Sequence, residues 1–145
     1  MTDLTLAAAQ AAIAAALDHA AAHGLKPLAV MVLDLRGAQK ASAAQDGVSL
    51  KRMEVAHGKA YGALALGMGS RSIFKRAKEQ PYFVNAVGTA LAGALIPVPG
   101  GVLIRDASGA VVGAIGISGD ASDQDEAAAC AGVTAAGFVA DPGVD

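Results

Sequence analysis

The sequence predicts a single-domain α/β protein of the α+β type, with an antiparallel sheet flanked by helices. Two pairs of short apolar strands carry this prediction. Residues 28–34 and 38–45 are joined by the turn Asp34-Leu35-Arg36-Gly37, and residues 102–106 and 110–117 by Ala107-Ser108-Gly109. Because each pair is a hairpin rather than part of a βαβ unit, the sheet is expected to be antiparallel. The length of 145 residues fits one domain, residues 1–145.

Helical segments fill the rest of the chain, in the order α-ββ-α-α-(α)-ββ-α. The first covers residues 4–23, with Thr5 as its N-cap and Gly24 as a left-handed terminator. The others are expected over 49–66, 71–80, the start of 82–95, and 122 to about 137. Ser122 is predicted to cap the last helix, with Asp125 as its capping-box partner.

The composition predicts a core of small side chains. Hydrophobic residues make up 54% of the chain, but aromatic residues are only 3% and Trp is absent. Burial stabilises by about 25 cal/mol per Å² of apolar surface, so each alanine contributes little. We therefore expect stability to come from close backbone approach, supplemented by an oligomer interface.

Charge and cysteine content exclude several classes of protein. The net charge is −2, without the clustered basic face that nucleic-acid binding requires. The single cysteine, Cys130, excludes an intrachain disulfide and fits a reducing compartment. The N-terminus lacks the basic region of a signal peptide, and no uninterrupted apolar run reaches the roughly 18 residues of a membrane span. A cytoplasmic protein with no nucleic-acid or membrane partner is expected.

The C-terminal third carries a family signature. Residues 97–106 (PVPGGVLIRD), Gly109, residues 112–120 (VGAIGISGD) and 123–126 (DQDE) resemble the GlcG/HbpS family, to which the C-terminal half of PduO-type proteins also belongs. The opening Leu-Thr-Leu, the 32–37 turn and Gly-Lys-Ala-Tyr at 58–61 occur in the family's order. The resemblance therefore spans nearly the whole chain.

This resemblance implies a profilin-like or PAS-like antiparallel sheet flanked by helices, assembled as a homo-oligomer, either a dimer or a larger ring. Some relatives bind haem, and some occur in redox or catabolic operons. Haem is therefore the cofactor candidate, and no other cofactor is expected.

Arg52 and Lys59 form the sharpest candidate site. Seven residues apart on the second helix, they point the same way and repel each other unless an anion lies between them. A small acidic ligand, such as a carboxylate, a phosphate or a haem propionate, would supply that anion. The alternatives are a solvated basic face, or neutralisation by Glu54 and the carboxylates of another chain.

Glycines near this pair are the second part of the candidate site. Gly58 and Gly62 lower the stability of the second helix, which close packing or a bound ligand would offset. Pro99, Gly100 and Gly101 present bare backbone and are predicted to form one wall of the ligand site.

Three histidines are candidate axial ligands for haem iron: His57, His19 and His23. His19 and His23 lie four residues apart and share a helix face, although two solvated histidines at a helix C-terminus explain that spacing as well. Asp120, Asp123, Asp125 and Glu126 crowd the start of the last helix. They are interpreted as surface caps, so no metal site is predicted.

The leading hypothesis is a homo-oligomeric module that binds a small ligand, with haem as the candidate, accessory to redox or catabolic metabolism. The alternative is an enzyme acting on a small carboxylate-bearing catabolic intermediate, with Lys59 or His57 as acid or base. A scaffold without a ligand is the third hypothesis. No CxxC, HExxH or Walker motif names a reaction.

Overall fold

A computed structural model describes residues 3–145 as one five-stranded sheet with helices on both faces. The strands lie in the order β2-β1-β4-β3-β5, and every pairing is antiparallel. The elements are α1 Leu6–Ala22, β1 Ala29–Asp34, β2 Gln39–Ala44, α2 Arg52–Leu66, α3 Ser70–Glu79, α4 Pro81–Ala90, β3 Gly101–Arg105, β4 Val111–Ser118, α5 Ser122–Ala135 and β5 Val139–Asp141. The predicted fold class, with its two hairpins and its helices, is confirmed.

Local signals placed most helix ends correctly. The Thr5 hydroxyl accepts a hydrogen bond from the Ala8 N–H at 3.1 Å, as an N-cap does. Gly24 and Gly67 follow α1 and α2 with φ of 65° and 68°. The short strand β5, which pairs with β3, was not predicted, because its three residues carry no alternating pattern.

The predicted capping box of α5 is wrong. Ala121, rather than Ser122, occupies the N-cap position, and no side chain caps the helix there. The carboxylate of Asp125 instead bonds the backbone N–H of Asp120 and the ammonium of Lys59. A buried ammonium needs a carboxylate more than a half-buried serine hydroxyl needs a capping partner.

Alternation along β1 divides the core between the two faces of the sheet. Val30 and Val32 point to the face covered by α1 and α5. Ala29, Met31 and Leu33 point to the face covered by α2. A third apolar cluster holds α3 and α4 together around Ile73, Val84 and Leu95.

Glycines allow the helices to lie unusually close to their neighbours. A Cβ on Gly116 of β4 would overlap the Ala56 carbonyl oxygen of α2, and one on Gly132 of α5 would overlap the Ala12 carbonyl oxygen of α1. The helix surfaces at these contacts are mostly alanine. The close backbone approach expected from the composition is therefore present on both faces. Within residues 3–145, no helix is long and apolar enough to cross a membrane.

Gly116→Ala should destabilise the protein, because its methyl group has no space beneath α2. Overpacking of this kind costs about 1–3 kcal/mol, and occasionally more. Gly88→Ala is the matched control, since the nearest heavy atom would lie 4.0 Å away. It should leave stability unchanged or raise it by up to about 1 kcal/mol, the helix cost of glycine. Urea unfolding measures both, and equal effects of the two substitutions would contradict the close-approach account.

Candidate functional site

Lys59 and Asp125 form a buried ion pair between helices that cover opposite faces of the sheet. The side chains are 2% and 1% exposed, and Lys59 Nζ lies 3.1 Å from Asp125 Oδ2. The ammonium also donates to the Ile117 carbonyl oxygen at 2.9 Å. Asp125 Oδ1 accepts from the Asp120 N–H at 2.9 Å. The pair therefore links α2 to the start of α5 at the end of β4.

Gly100 makes room for the lysine. Its φ is 123°, and a Cβ there would lie 2.8 Å from both Lys59 Nζ and the Ile117 carbonyl oxygen. The next residue, Gly101, donates its N–H to the buried Ser70 hydroxyl at 2.7 Å. Pro99 is buried just before them. The structure thus places Lys59 against the predicted wall of Pro99, Gly100 and Gly101. The Lys59 ammonium itself occupies the space beside Gly100.

Burial has the largest effect on the pKa of each member of this pair. It lowers the pKa of Lys59 against the opposing attraction of Asp125, and it raises the pKa of Asp125 against the attraction of Lys59. The structure neutralises Lys59 with Asp125 of the same chain, whereas Glu54, the carboxylate considered from the sequence, pairs with Lys51. The interpretation of Asp125 as a surface cap is wrong, because its carboxylate is withdrawn from solvent.

Arg52 lies on the same side of the sheet as Lys59, but its surroundings differ from those of Lys59. Its guanidinium is half-buried and donates to the Ser118 hydroxyl at 3.2 Å. No carboxylate of residues 3–145 forms an ion pair with it. Its charge also contributes to the lowered pKa of Lys59. Arg52 therefore remains able to take an anionic partner.

A groove of about 530 Å³ runs between α2 and the segment that follows α4. This volume is within the range of small-molecule sites. Its lining combines thioether, imidazole, carboxylate and apolar groups: Met31, Met53, Glu54, His57, Leu91, Ala92, Gly93 and Ala94. The predicted ligand His57 therefore lines a concave site, with Met31 of β1 also lining it.

A sharp backbone turn builds the outer wall of this groove. Ala92 and Gly93 both have left-handed backbones, with φ of 54° and 88°. Gly93 donates its N–H to the Gly88 carbonyl oxygen at 2.8 Å, which holds the turn against the end of α4. A left-handed conformation costs a non-glycine residue roughly 1–2 kcal/mol, so packing around Ala92 must offset the strain.

The helix glycines receive the chain that follows this turn. A Cβ on Gly58 would lie 2.6 Å from Ile96 Cγ1, and one on Gly62 would lie 2.5 Å from Leu95 Cδ1. The Ile96 N–H also donates to the Gly58 carbonyl oxygen at 3.2 Å. Gly58 and Gly62 thus serve close packing, the first of the two explanations considered for them.

The groove continues along α2. The rings of His57 and Tyr61 stack with their centroids 5.4 Å apart. Tyr61 and Leu91 line a second hollow of about 170 Å³ next to the turn at Arg36-Gly37. Since Leu91 lines both hollows, they form one elongated surface.

His19 and His23 lie elsewhere. Both are on or next to α1, which covers the opposite face of the sheet from α2. Their rings stack at 4.0 Å, and His23 Nδ1 lies 2.8 Å from the His19 carbonyl oxygen. Burial lowers the pKa of His19, with His23 as the smaller cause, and its Nε2 has no partner among the described residues. The structure therefore separates these two histidines from His57.

Sequence reasoning missed two parts of this region. Met31 and Met53 carried no motif, and only their placement on facing elements brings them to one groove. The Leu91–Ala94 wall lay in a stretch whose structure was ambiguous in the sequence. Gly93, followed by Pro97 and Pro99, was a helix-end signal that could have located it.

Removing either member of the buried pair should be strongly destabilising. Lys59→Met or Asp125→Asn leaves one buried polar partner uncompensated, which typically costs about 3–5 kcal/mol. The double variant should lose less stability than the sum of the two single losses. The exposed Lys51–Glu54 pair, 70% and 72% exposed, is the control, with an expected coupling of about 0–1 kcal/mol. Double-mutant cycles in urea measure both couplings, and strictly additive losses at Lys59 and Asp125 would contradict the pairing.

Comparisons with known proteins agree with this architecture. The family model described as haem degrading protein HbpS-like matches residues 4–134. A double mutant of Streptomyces reticuli HbpS is 30% identical with a TM-score of 0.78, over 92% of this chain and 87% of that one. Among curated proteins, none matches the chain.

Two further solved structures share the fold. The PduOC:heme complex has a TM-score of 0.84 at 22% identity, over 94% of this chain and 97% of that one. Klebsiella pneumoniae protein ORFY has a TM-score of 0.82 at 25% identity, over 94% of this chain and 92% of that one. With the family model covering nearly all of its length, the chain belongs to the HbpS-like family, as its C-terminal signature predicted.

Proposed function

We propose that this protein is a haem-binding module whose site is the groove between α2 and residues 91–94. The observation that carries the proposal is the donor set of the groove: an imidazole and two thioethers in otherwise mainly apolar walls. Haem iron takes axial ligands from His and Met side chains, among others, and the porphyrin needs apolar contact. The residues present therefore fit the group, and PduOC, which shares the fold, was solved with heme.

His57 would be the iron ligand. Its ring is half-exposed at the groove and stacks on Tyr61, which fixes the ring plane. Leu91 and the strained turn after it would cover one side of the ligand and exclude water. When bound, haem would supply a redox-active iron.

Arg52 would bind the acidic edge of the ligand. It precedes Met53 at the start of α2, and its guanidinium has no carboxylate partner in the described part of the chain. Four residues would contribute indirectly, by setting the position of α2 on the sheet: Lys59, Pro99, Gly100 and Gly101. The ligand class is thus a planar apolar molecule with carboxylates.

Hemin titration tests the site. One equivalent should produce a saturable Soret shift. His57→Ala should change the Soret maximum and weaken hemin binding by about tenfold or more, because changing even an outer-shell partner of a metal ligand costs about 10–100-fold in affinity. His23→Gln is the matched control and should leave both unchanged. No saturable shift would contradict haem binding, whereas loss in His23→Gln but not in His57→Ala would place the site on α1.

The same assay tests Arg52. Arg52→Gln should weaken hemin several-fold, while Lys75→Gln, which removes one charge from an exposed position of α3, should not. With the dimethyl ester of hemin, which lacks the carboxylates, wild type and Arg52→Gln should bind equally. An equal loss with the ester would contradict a role in carboxylate recognition.

We also propose a homo-oligomer, a dimer or a larger ring. Several large apolar side chains are exposed, Leu50 at 89%, with Leu6, Leu35, Tyr82, Val139 and Val144. Strand β2 is at the edge of the sheet. Its Ser42 and Ala44 lie on the α2 side, beyond the area that α2 covers, and are exposed. Edge strands of this kind readily pair or become covered. Light scattering should give a mass of at least two chains, and a strict monomer would contradict the proposal.

We further propose a role accessory to redox or catabolic metabolism, in the cytoplasm. The state of the single cysteine is compatible with that location. Burial raises the pKa of the Cys130 thiol to about 11, so it remains protonated at neutral pH. Cys130 packs against the core on the α1 and α5 side. A single protonated thiol is compatible with a reducing compartment.

A further inference from the structure

We propose that Met31, Met53 and His57 form a binding site for monovalent copper. Two thioether side chains and one imidazole side chain line the same groove. The inference does not depend on haem binding, because it concerns the apoprotein and a bare metal ion.

The fold brings the three donors together from two elements. Met53 and His57 are four residues apart in α2, a spacing that makes their side chains neighbours on one helix face. Met31 lies on β1, in the apolar cluster against which Met53 packs. Its side chain is 6% exposed, and it lines the groove from below.

The donor chemistry selects the metal. Thioether sulfur is a soft ligand that favours Cu(I), and imidazole also suits copper, whereas Mg²⁺, Ca²⁺ and Mn²⁺ prefer oxygen ligands. The one carboxylate in the groove, Glu54, is 72% exposed and already pairs with the Lys51 ammonium at 2.7 Å. The described part of the chain contains no group of three or more His, Cys, Asp or Glu side chains suited to a metal ion. The groove therefore favours a soft monovalent ion over a hard divalent one.

Packing alone accounts less well for this arrangement. Methionine is a common filler of irregular core gaps, and Met68 fills such a gap beside α3 and α4. Met31 and Met53 also pack in an apolar cluster, but in addition they line a groove together with a half-exposed imidazole. The contrast between these two environments supplies an internal control.

Anaerobic titration of the apoprotein with Cu(I), in competition with the chromophoric chelator bicinchoninate, tests the site. The wild type should bind one ion per chain. Met31→Leu, Met53→Leu and His57→Gln should each weaken binding by about tenfold or more, since even outer-shell changes cost about 10–100-fold in metal affinity. Met68→Leu and His23→Gln are the matched controls and should bind as the wild type does.

The methionine variants test the copper site without haem, because the titration uses the apoprotein. Leucine conserves side-chain volume, so both variants should remain folded, which circular dichroism and urea unfolding check. They should lose Cu(I) affinity, and because no hemin is present in this titration, a failure of the hemin prediction would leave this result unchanged. Wild-type Cu(I) affinity in both methionine variants would overturn the proposal, as would X-ray absorption of the copper-loaded protein without copper–sulfur scattering.

Discussion

The buried contact between Lys59 and Asp125 is the constraint on which the arrangement of the helices depends. Withdrawing a charged group from water costs free energy unless the group is paired. Displacing either side chain would therefore leave the other unpaired in the interior. The lysine comes from the helix on one face of the sheet and the aspartate from a helix on the opposite face. Since the ammonium also bonds the Ile117 carbonyl oxygen, α2 has one position along β4. That position determines where Met53 and His57 meet the groove.

Small residues make this position possible. Gly101 and Gly116 lie beneath α2 on neighbouring strands, so the helix backbone nearly touches the sheet. Gly58 and Gly62 form the equivalent surface on the other side of the helix, where Leu95 and Ile96 pack. A core with so few aromatic residues is filled by close approach rather than by large side chains. The groove remains where α2, β1 and the turn after α4 do not close on one another.

Local features could be predicted from the sequence, and long-range contacts could not. The hairpin at 107–109 and the caps at Thr5 and Gly24 depend on neighbouring residues, and each was located correctly. The pairing of Lys59 with Asp125 joins residues far apart in the chain, and Asp125 in isolation has the spacing of a capping box. Arg52 and Lys59 do lie on the same side of the sheet, as their spacing indicated, but their partners differ. Met31 joins His57 only because β1 is the floor beneath α2.

The proposed haem site requires a planar ligand to occupy the groove along α2. Hydrogen-exchange mass spectrometry of the whole chain, with and without one equivalent of hemin, tests this claim without any substitution. Slower exchange is expected in peptides covering residues 88–96, whose turn forms the outer wall, and at the turn 35–37 beside Tyr61. Peptides covering 17–27 and 43–46, which border a separate hollow beside the end of α1, should be unchanged. Protection confined to the α1 side would contradict the account.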